Sequence, residues 1–426
     1  MKSLVSVLKR TPGLRGWQVS RLAKRSVEVY SVLGEVETLR CNAVRDYTLR
    51  LQTPVDDALM GESTTRFQRK PESLAGLVAD TQRRARLVQN PAYRFSDKYV
   101  PDGDTNALYD AKIGEAAVDA VVAYAESIHA YRTKHLAKFP LNSLELFFET
   151  FDYRVQNHMG LDVDSTSTRV VCDYVLTSPD NRHEIMGIKK RRYLDQLALE
   201  AQLEEDARVL VDLQNAVLPP TGEFSVVLAG DALDSLFDFF VAQLDGHALF
   251  NRYSIFQQGD AVVRDAREPL KISSNPRLAG GMRSYAFDEL GFQASPVTLI
   301  EDSHVQNFLI DGRYADLLKA KQTSALMNIE VAPGTTPYAD FLGEGVLELS
   351  KFSTFQPNTI SGAFSGEIRL GYLHKNGKKI PIKGGSVSGS TQAAFARALK
   401  SRETEQRAAY WGPKGVFFES LTIAGE

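Results

Sequence analysis

Residues 362–390 have the sequence GAFSGEIRLGYLHKNGKKIPIKGGSVSGS. Polar and apolar residues alternate on both sides of Asn376 and Gly377. An Asn-Gly pair between two such runs is a strong signal for a tight turn in a β-hairpin. Gly371 and Gly384 have only hydrogen as a side chain, so neighbouring backbones can approach closely there. The stretch therefore predicts paired antiparallel strands, and it marks the fold of the C-terminal half rather than a reactive centre.

Strand and helix patterns are mixed along the remainder of the chain. Alternating runs rich in valine, threonine and aromatic residues predict strands at 26–33, 47–52, 144–155, 168–177 and 224–228. Apolar residues spaced three and four apart predict helices at 72–88, 111–125, 191–216 and 231–244. Turn-forming residues predict a loop at 97–104. The mixture predicts an α+β fold.

The length predicts two domains, since a chain of 426 residues is too long for one ordinary core. The helical pattern that ends near residue 216 is followed by Leu218, Pro219 and Pro220, where a helix cannot continue. We therefore predict a mixed α/β N-terminal domain over residues 1–217. A strand-rich C-terminal domain is predicted over residues 218–426.

Composition excludes several classes of function. Fifty Lys and Arg residues against 53 Asp and Glu leave a formal charge of −3, which gives no electrostatic basis for binding nucleic acid. The two cysteines are far apart, so no disulfide framework is indicated. No apolar run approaches the roughly 20 residues of a membrane span, and the first residues lack a signal-peptide pattern. We expect a cytoplasmic protein with no membrane partner.

The histidines do not form an evident zinc-peptidase motif. Such a helix carries two histidines on one face and a glutamate beside the first. His183 and Glu184 begin in this way, but residues 187–189 contain no further histidine. His129 and His135 are six residues apart, which places them on different faces of a helix, and we expect both at the surface.

The sequence also gives little support to the other candidate catalytic or metal-binding residues. His304 follows Glu301 and Asp302, a cluster that could bind a cation, although a solvated turn is the favoured interpretation. His374 is expected as an exposed strand residue, and Cys172 as a packed core residue. Residue chemistry alone therefore predicts a two-domain α+β protein without an evident catalytic centre.

Three stretches resemble the TldD/PmbA family, whose members are also described as proposed modulators of DNA gyrase. Residues 327–349 have the family's asparagine, then Pro-Gly, a short helix and a strand. Residues 362–390 resemble its Gly-x-Phe-Ser, Gly-Tyr-Leu and Asn-Gly-Lys block, and residues 417–425 its closing Leu-Thr-Val-Ala-Gly. Weaker matches extend over the remaining chain. The resemblance implies the two-domain fold of this family.

The resemblance also implies a branch of the family. In the TldD branch, the helix that opens the C-terminal domain carries His-Glu-x-x-x-His, and a cysteine near the C-terminus is the third zinc ligand. The corresponding helix here, residues 231–245, contains no histidine, and residues 410–416 contain no cysteine. This pattern is similar to the TldE branch, which implies a non-catalytic subunit without catalytic or metal-binding residues of its own.

A TldE-like subunit is expected to form a heterodimer with a TldD-like subunit that holds the zinc ion. The pair would enclose a chamber for unfolded or modified precursor peptides, bound as extended strands. For a substrate groove in this chain we select Phe364, Gly371, Tyr372 and Gly384, within the hairpin block. Two alternatives stay open: a homodimeric peptide-binding or scaffold protein without peptidase activity, and an enzyme with a relocated metal site at His304.

Overall fold

The computed structural model describes residues 1–99 and 106–426, so the loop predicted at 97–104 lies mostly outside the described residues. The structure is 23% helical and 42% strand, which confirms the predicted α+β class. In the part of the chain that is described, no helix has the length and apolar character needed to cross a membrane.

Seven strands of the N-terminal half form one antiparallel sheet. They are β1 (Gly16–Val32), β2 (Glu35–Pro54), β3 (Leu59–Phe67), β4 (Asn90–Pro91), β5 (Leu141–Asn157), β6 (Asp162–Thr177) and β7 (Glu184–Arg191). The order across the sheet is β4-β3-β2-β1-β5-β6-β7. The long strands β1, β2, β5 and β6 match the four strands predicted in this half, except that β1 ends at Val32, one residue before the predicted end.

Five helices accompany this sheet: α1 (Lys2–Leu8), α2 (Leu74–Ala85), α3 (Ala111–Gly114), α4 (Val118–His135) and α5 (Leu199–Gln214). Helices α3, α4 and α5 pack on one face of β1, β5 and β6 and enclose an apolar core. Cys172 is buried in this core, as predicted. His129 is also buried, and its Nε2 lies 2.8 Å from Ser31 Oγ, so the surface position expected for it is wrong.

Two predicted helices differ in their bounds from the observed ones. The helix predicted at 111–125 is interrupted between α3 and α4, where Gly114 lies against the ring of Tyr109. The helix predicted at 191–216 begins only at Leu199, because residues up to Arg191 pair with β6 as strand β7. In both cases tertiary packing overrides local helical periodicity.

The C-terminal half contains four helices and thirteen strands. The helices are α6 (Asp231–Gln243), α7 (Gly246–Phe250), α8 (Gly312–Leu318) and α9 (Thr391–Ala396). The strands are β8 (Gly222–Ala229), β9 (Ile272–Asn275), β10 (Val297–Glu301), β11 (His304–Val305), β12 (Asn328–Val331), β13 (Leu347–Pro357), β14 (Ala363–Lys375), β15 (Lys378–Ile382), β16 (Ser386–Ser390), β17 (Leu399–Lys400), β18 (Thr404–Arg407), β19 (Tyr410–Pro413) and β20 (Gly415–Ala424).

These strands form two further sheets. One has the order β11-β10-β9-β12-β19-β18, and the other has the order β13-β8-β20-β16-β14-β15, with β17 paired to β20. Strand β13 also pairs with β14. Apolar residues of both sheets and of α6 form a single core, in which Phe237, Phe395 and Phe418 pack together.

The predicted hairpin is confirmed. Strands β14 and β15 pair antiparallel, with Lys375 opposite Lys378, and Asn376 and Gly377 between them both have positive φ, 53° and 68°. These dihedrals match a type I′ turn, whose twist suits the flanking strands. At Gly371, a β-carbon would lie 2.9 Å from the Glu348 carbonyl oxygen. The close approach of neighbouring backbones that was predicted there is therefore confirmed.

A loop at residues 281–284 joins the two halves of the molecule. Arg192, which is only 5% exposed, donates hydrogen bonds to three carbonyl oxygens of this loop at 3.2–3.3 Å. It also donates to the Thr168 carbonyl oxygen of β6 at 3.2 Å. A guanidinium group presents five donors, so one side chain can serve both elements.

The buried side chain of Asn328 holds the same loop from the opposite side. Its Oδ1 accepts from the Arg283 backbone N–H at 2.8 Å, and its Nδ2 donates to Ser284 Oγ at 2.8 Å. This is the asparagine that precedes Pro-Gly in the sequence. The boundary predicted between residues 217 and 218 lies between Arg191, where β7 ends, and Gly222, where β8 begins, and it stays a prediction.

We expect Arg192→Met to lower the free energy of unfolding by roughly 2–4 kcal/mol, because several buried carbonyl oxygens would lose their donor. Urea denaturation of the purified chain measures this change. Arg182→Met is the matched control, since Arg182 is 82% exposed and should change stability little. Equal stability of both variants would contradict a structural role for Arg192.

Candidate functional site

Helix α6 has one apolar face and one acidic face. Leu233, Leu236, Phe237 and Phe240 are buried in the C-terminal core. Asp231, Asp234 and Asp238 are spaced three and four residues apart, which aligns them on the opposite side of the helix. We call these three residues the acidic stripe.

The middle residue of the acidic stripe forms an ion pair with β18. Asp234 Oδ1 accepts hydrogen bonds from Arg407 Nε at 2.9 Å and Arg407 Nη2 at 2.6 Å. Glu405 accepts from Nη1 of the same guanidinium at 2.6 Å. The guanidinium also lies over the ring of Tyr410 at 4.5 Å, and that ring stacks on Phe237. These contacts fasten α6 to β18 and β19.

Burial changes the acidity of the stripe. It raises the pKa of Asp234 to about 6, although Arg407 opposes the shift. Burial also raises the pKa of Asp238, against the effect of Arg283, whose Nη1 lies 3.7 Å from Asp238 Oδ1. Since a pKa near 6 leaves Asp234 ionised at neutral pH, the contact with Arg407 is a salt bridge under those conditions.

A cavity of about 460 Å³ opens beside the C-terminal end of α6. Its polar lining includes Asp238, Asp245, His247 and Arg283, and its apolar lining includes Val241, Leu309, Leu326 and Ile360. Asp245 also caps α7 by accepting from the His247 backbone N–H at 2.8 Å. The cavity has the volume of a small-ligand or side-chain pocket.

The residues at this place do not fit a zinc ion. A catalytic zinc site needs three nitrogen, sulfur or oxygen ligands and an open position for water. Here Asp234 is instead engaged by Arg407, whose permanent positive charge would repel a metal cation. Across residues 1–99 and 106–426, no group of three or more His, Cys, Asp or Glu residues could hold a metal ion.

The four residues predicted to form a substrate groove lie in different surroundings. Phe364 is 3% exposed and belongs to the C-terminal core, and Gly371 lies against the backbone of β13. Tyr372 donates from its hydroxyl to Asp212 of α5 at 2.7 Å, and Gly384 lies near Leu218. Tyr372 and Gly384 thus lie near the junction with the N-terminal half, and the groove assignment stays a prediction.

The histidines considered from the sequence have structural partners. His304 is the first residue of β11, directly after the tight turn that follows β10, and its Nδ1 lies 2.7 Å from the Asp302 carbonyl oxygen. Glu301 forms an ion pair with Lys271 at 3.0 Å. His374 is partly buried and its Nε2 lies 3.2 Å from Glu348, so the exposed position expected for it is wrong.

The acidic stripe and Arg407 were not predicted from the sequence. The spacing of the three aspartates on a predicted helix was an available signal for a shared face. No local pattern, however, connects that helix to an arginine more than 170 residues further along the chain.

Comparison with known proteins shows a family to which the C-terminal half is similar. Residues 221–425 match the model of the PmbA/TldA metallopeptidase C-terminal domain. The resemblance to the TldD/PmbA family is therefore confirmed, and the chain has the metallopeptidase-like fold of that family.

Two curated relatives match part of the chain. A protein named metalloprotease from Archaeoglobus fulgidus is 26% identical over 265 residues, which cover 54% of this chain and 61% of that protein. An uncharacterized protein of Methanocaldococcus jannaschii is 27% identical over 161 residues, covering 35% of this chain and 39% of that protein. The chain thus spans less than two thirds of the length of either relative.

Solved structures match over the whole length. A proposed modulator of a DNA gyrase from Thermotoga maritima has a TM-score of 0.82 at 18% identity and covers 99% of both chains. TldE from Thermococcus kodakarensis has a TM-score of 0.81 at 17% identity, over 100% of this chain and 99% of that chain. At these identities the similarity shows a common fold.

We expect Asp234→Ala to lower the free energy of unfolding by roughly 2–4 kcal/mol at neutral pH, because Arg407 would keep its buried charge without this partner. Urea denaturation measures the effect. Replacing both residues, as in Asp234→Ala with Arg407→Met, should recover a large part of the loss because the only charge left without its partner, on Glu405, is exposed to solvent. Asp231→Ala is the control on the exposed part of the same stripe, and a loss as large in this variant would argue against the pair.

Proposed function

We propose that this chain is the non-catalytic, TldE-like subunit of a heterodimeric metallopeptidase. Its partner is a TldD-like subunit that holds the zinc ion, and the complex cleaves unfolded or modified precursor peptides. The observation that carries the proposal is the salt bridge between Asp234 and Arg407, on the helix where the TldD branch has its zinc motif. Because this ion pair occupies the position of the zinc motif, zinc binding and peptide cleavage belong to another subunit.

Within the complex, the surface beside α6 serves as a wall of the peptide chamber. The cavity of about 460 Å³ combines apolar residues with Asp238 and Asp245, and its size suits side chains of an extended peptide rather than a folded domain. The fold shared with TldE of Thermococcus kodakarensis and the match to a protein named metalloprotease support this assignment.

A homodimeric peptide-binding or scaffold protein is the second candidate. The cavity beside α6 is compatible with peptide binding in the absence of a peptidase partner. A gene next to this one that encodes His-Glu-x-x-x-His would favour the heterodimer. An enzyme with a metal site at His304 is disfavoured, because Glu301 is paired with Lys271 and His304 contacts the Asp302 carbonyl oxygen.

The proposal predicts that zinc and peptidase activity require the partner. The chain should be co-expressed with TldD-like proteins of the same genome and purified through a tag on this chain. We expect one zinc ion per heterodimer by atomic absorption, hydrolysis of an unfolded peptide by the complex, and neither property in the lone chain.

Two controls make this experiment decisive. A complex whose partner lacks the first histidine of its zinc motif should assemble but be inactive. Asp234→Asn with Arg407→Gln in this chain keeps a polar contact without charges, and the complex should still bind zinc through the partner. Zinc and activity in the lone chain would refute the subunit proposal, whereas a stable homodimer that binds peptide and no TldD-like protein would favour the scaffold.

A further inference from the structure

A second cavity, of about 270 Å³, lies in the N-terminal half between α1, the end of β3 and the start of α2. We call it the N-terminal cavity, and every residue of its lining lies within residues 1–74. One side is apolar and includes Leu4 of α1 and Leu74 of α2. The rings of Tyr47 and Phe67 also line it, and they stack with their centroids 5.3 Å apart. This side of the cavity suits a flat apolar group.

The other side of the N-terminal cavity is positively charged. Arg45 of β2 and Lys70, which follows β3, both line it and both are exposed. Arg21 of β1 lies directly opposite Tyr47 in the sheet, so its side chain stands on the same face as the Tyr47 ring. Three cationic side chains therefore lie beside the aromatic pair.

These three cations have no counter-ion among the described residues. Over residues 1–99 and 106–426, the side chains of Arg21, Arg45 and Lys70 form neither an ion pair nor a hydrogen bond. The Nε atom of Arg21 is buried without a hydrogen-bond partner, a condition that costs free energy. Asp46 follows Arg45 on the opposite face of β2, where it accepts a hydrogen bond from Gln68 at 2.8 Å.

The neighbouring strand does not neutralise Arg21 either. Its directly opposed residue on β5 is Arg154, and like charges in directly opposed positions destabilise a sheet. Asp162 accepts two hydrogen bonds from Arg154, both of 2.8 Å, and so serves that arginine instead. Asp152 lies 3.8 Å from Arg25. The positive charge beside the N-terminal cavity is therefore uncompensated within the described part of the chain.

An aromatic phosphate monoester has the chemistry that this cavity lacks. At neutral pH its phosphate carries a charge of about −1.5 to −2 and three acceptor oxygens, which match three cationic side chains. The planar guanidinium groups of Arg21 and Arg45 can each donate two parallel hydrogen bonds to such a group. The volume lies just below the roughly 300–1,000 Å³ of pockets for drug-sized ligands, so the ligand is small.

We propose that the N-terminal cavity binds a small aromatic phosphate monoester. The ring packs against Leu4, Leu74 and the Tyr47 side chain, and the phosphate accepts from Arg21, Arg45 and Lys70. The site contains no residue of the C-terminal half. It is therefore independent of the proposed subunit role and can be tested on the lone chain.

Isothermal titration calorimetry of the lone, full-length chain with phenyl phosphate tests the site. We expect one binding site per chain at low ionic strength. Inorganic phosphate lacks the ring and benzyl alcohol lacks the charge, so each should bind at least about fivefold more weakly than phenyl phosphate.

Charge-removing variants test which residues hold the phosphate. Arg21→Gln and Arg45→Gln should each weaken phenyl phosphate binding by about fivefold or more, because a charge-assisted hydrogen bond is lost. Arg66→Gln is the matched control, since Arg66 is exposed, precedes Phe67 on β3 and lies opposite Thr48 on the other face of the sheet. It should leave the affinity unchanged.

Urea denaturation separates lost binding from lost folding. Because Arg21 faces Arg154 and has no counter-ion, Arg21→Gln should not lower the urea midpoint of the free chain. Phenyl phosphate should raise the midpoint of the wild type and of Arg66→Gln, but not that of Arg21→Gln at the same concentration.

Three results would overturn the proposal. One is a wild-type chain that does not bind phenyl phosphate at millimolar concentrations. Another is inorganic phosphate or benzyl alcohol binding as tightly as phenyl phosphate. The third is an Arg66→Gln variant that loses as much affinity as Arg21→Gln, which would indicate general charge attraction rather than a site at the N-terminal cavity.

Discussion

The arrangement of the two halves depends on the loop at residues 281–284 and on the two buried side chains that hold it. Arg192 donates to the loop carbonyls from the N-terminal half, and Asn328 binds the same loop from the C-terminal half. Burying a guanidinium is costly unless its donors are satisfied. Carbonyl oxygens accept from Nη1 and Nη2 of Arg192, whereas its buried Nε has no hydrogen-bond partner among the described residues. The same loop carries Arg283, whose Nη1 lies 3.7 Å from Asp238 Oδ1, so the loop also contacts α6.

The site beside α6 shows how a helix can keep its position in a fold while the residues on its polar face differ. Its apolar face packs in the core, as any helix at this position of the fold must. Its polar face carries Asp234 in a salt bridge with Arg407, and the ring of Tyr410 covers the guanidinium. A buried ion pair contributes little net stability against an apolar alternative, but it specifies which segments meet. Here the pair joins α6 to the C-terminal strands and excludes a cation.

The sequence predicted the elements in which one local pattern is dominant. The alternating strands, the Asn376–Gly377 turn and the position of α6 all follow from periodicity or turn chemistry, and all are confirmed. The wrong predictions concern residues whose structure depends on packing against distant parts of the chain. Arg191 ends strand β7 instead of starting a helix because β6 offers backbone partners, and His129 is buried because α4 packs on β1. Of the candidate site, the sequence showed only the spacing of the three aspartates.

By itself, the sequence determined the α+β class, the hairpin of the C-terminal half, and the absence of histidine from the helix that carries the zinc motif in the TldD branch. These properties depend on residue identity and on neighbours a few positions away. Only the tertiary structure decided that Arg407 pairs with Asp234 and that Arg192 holds residues 281–284. Such contacts join residues far apart in the chain, and their formation depends on how whole sheets and helices pack rather than on any local periodicity.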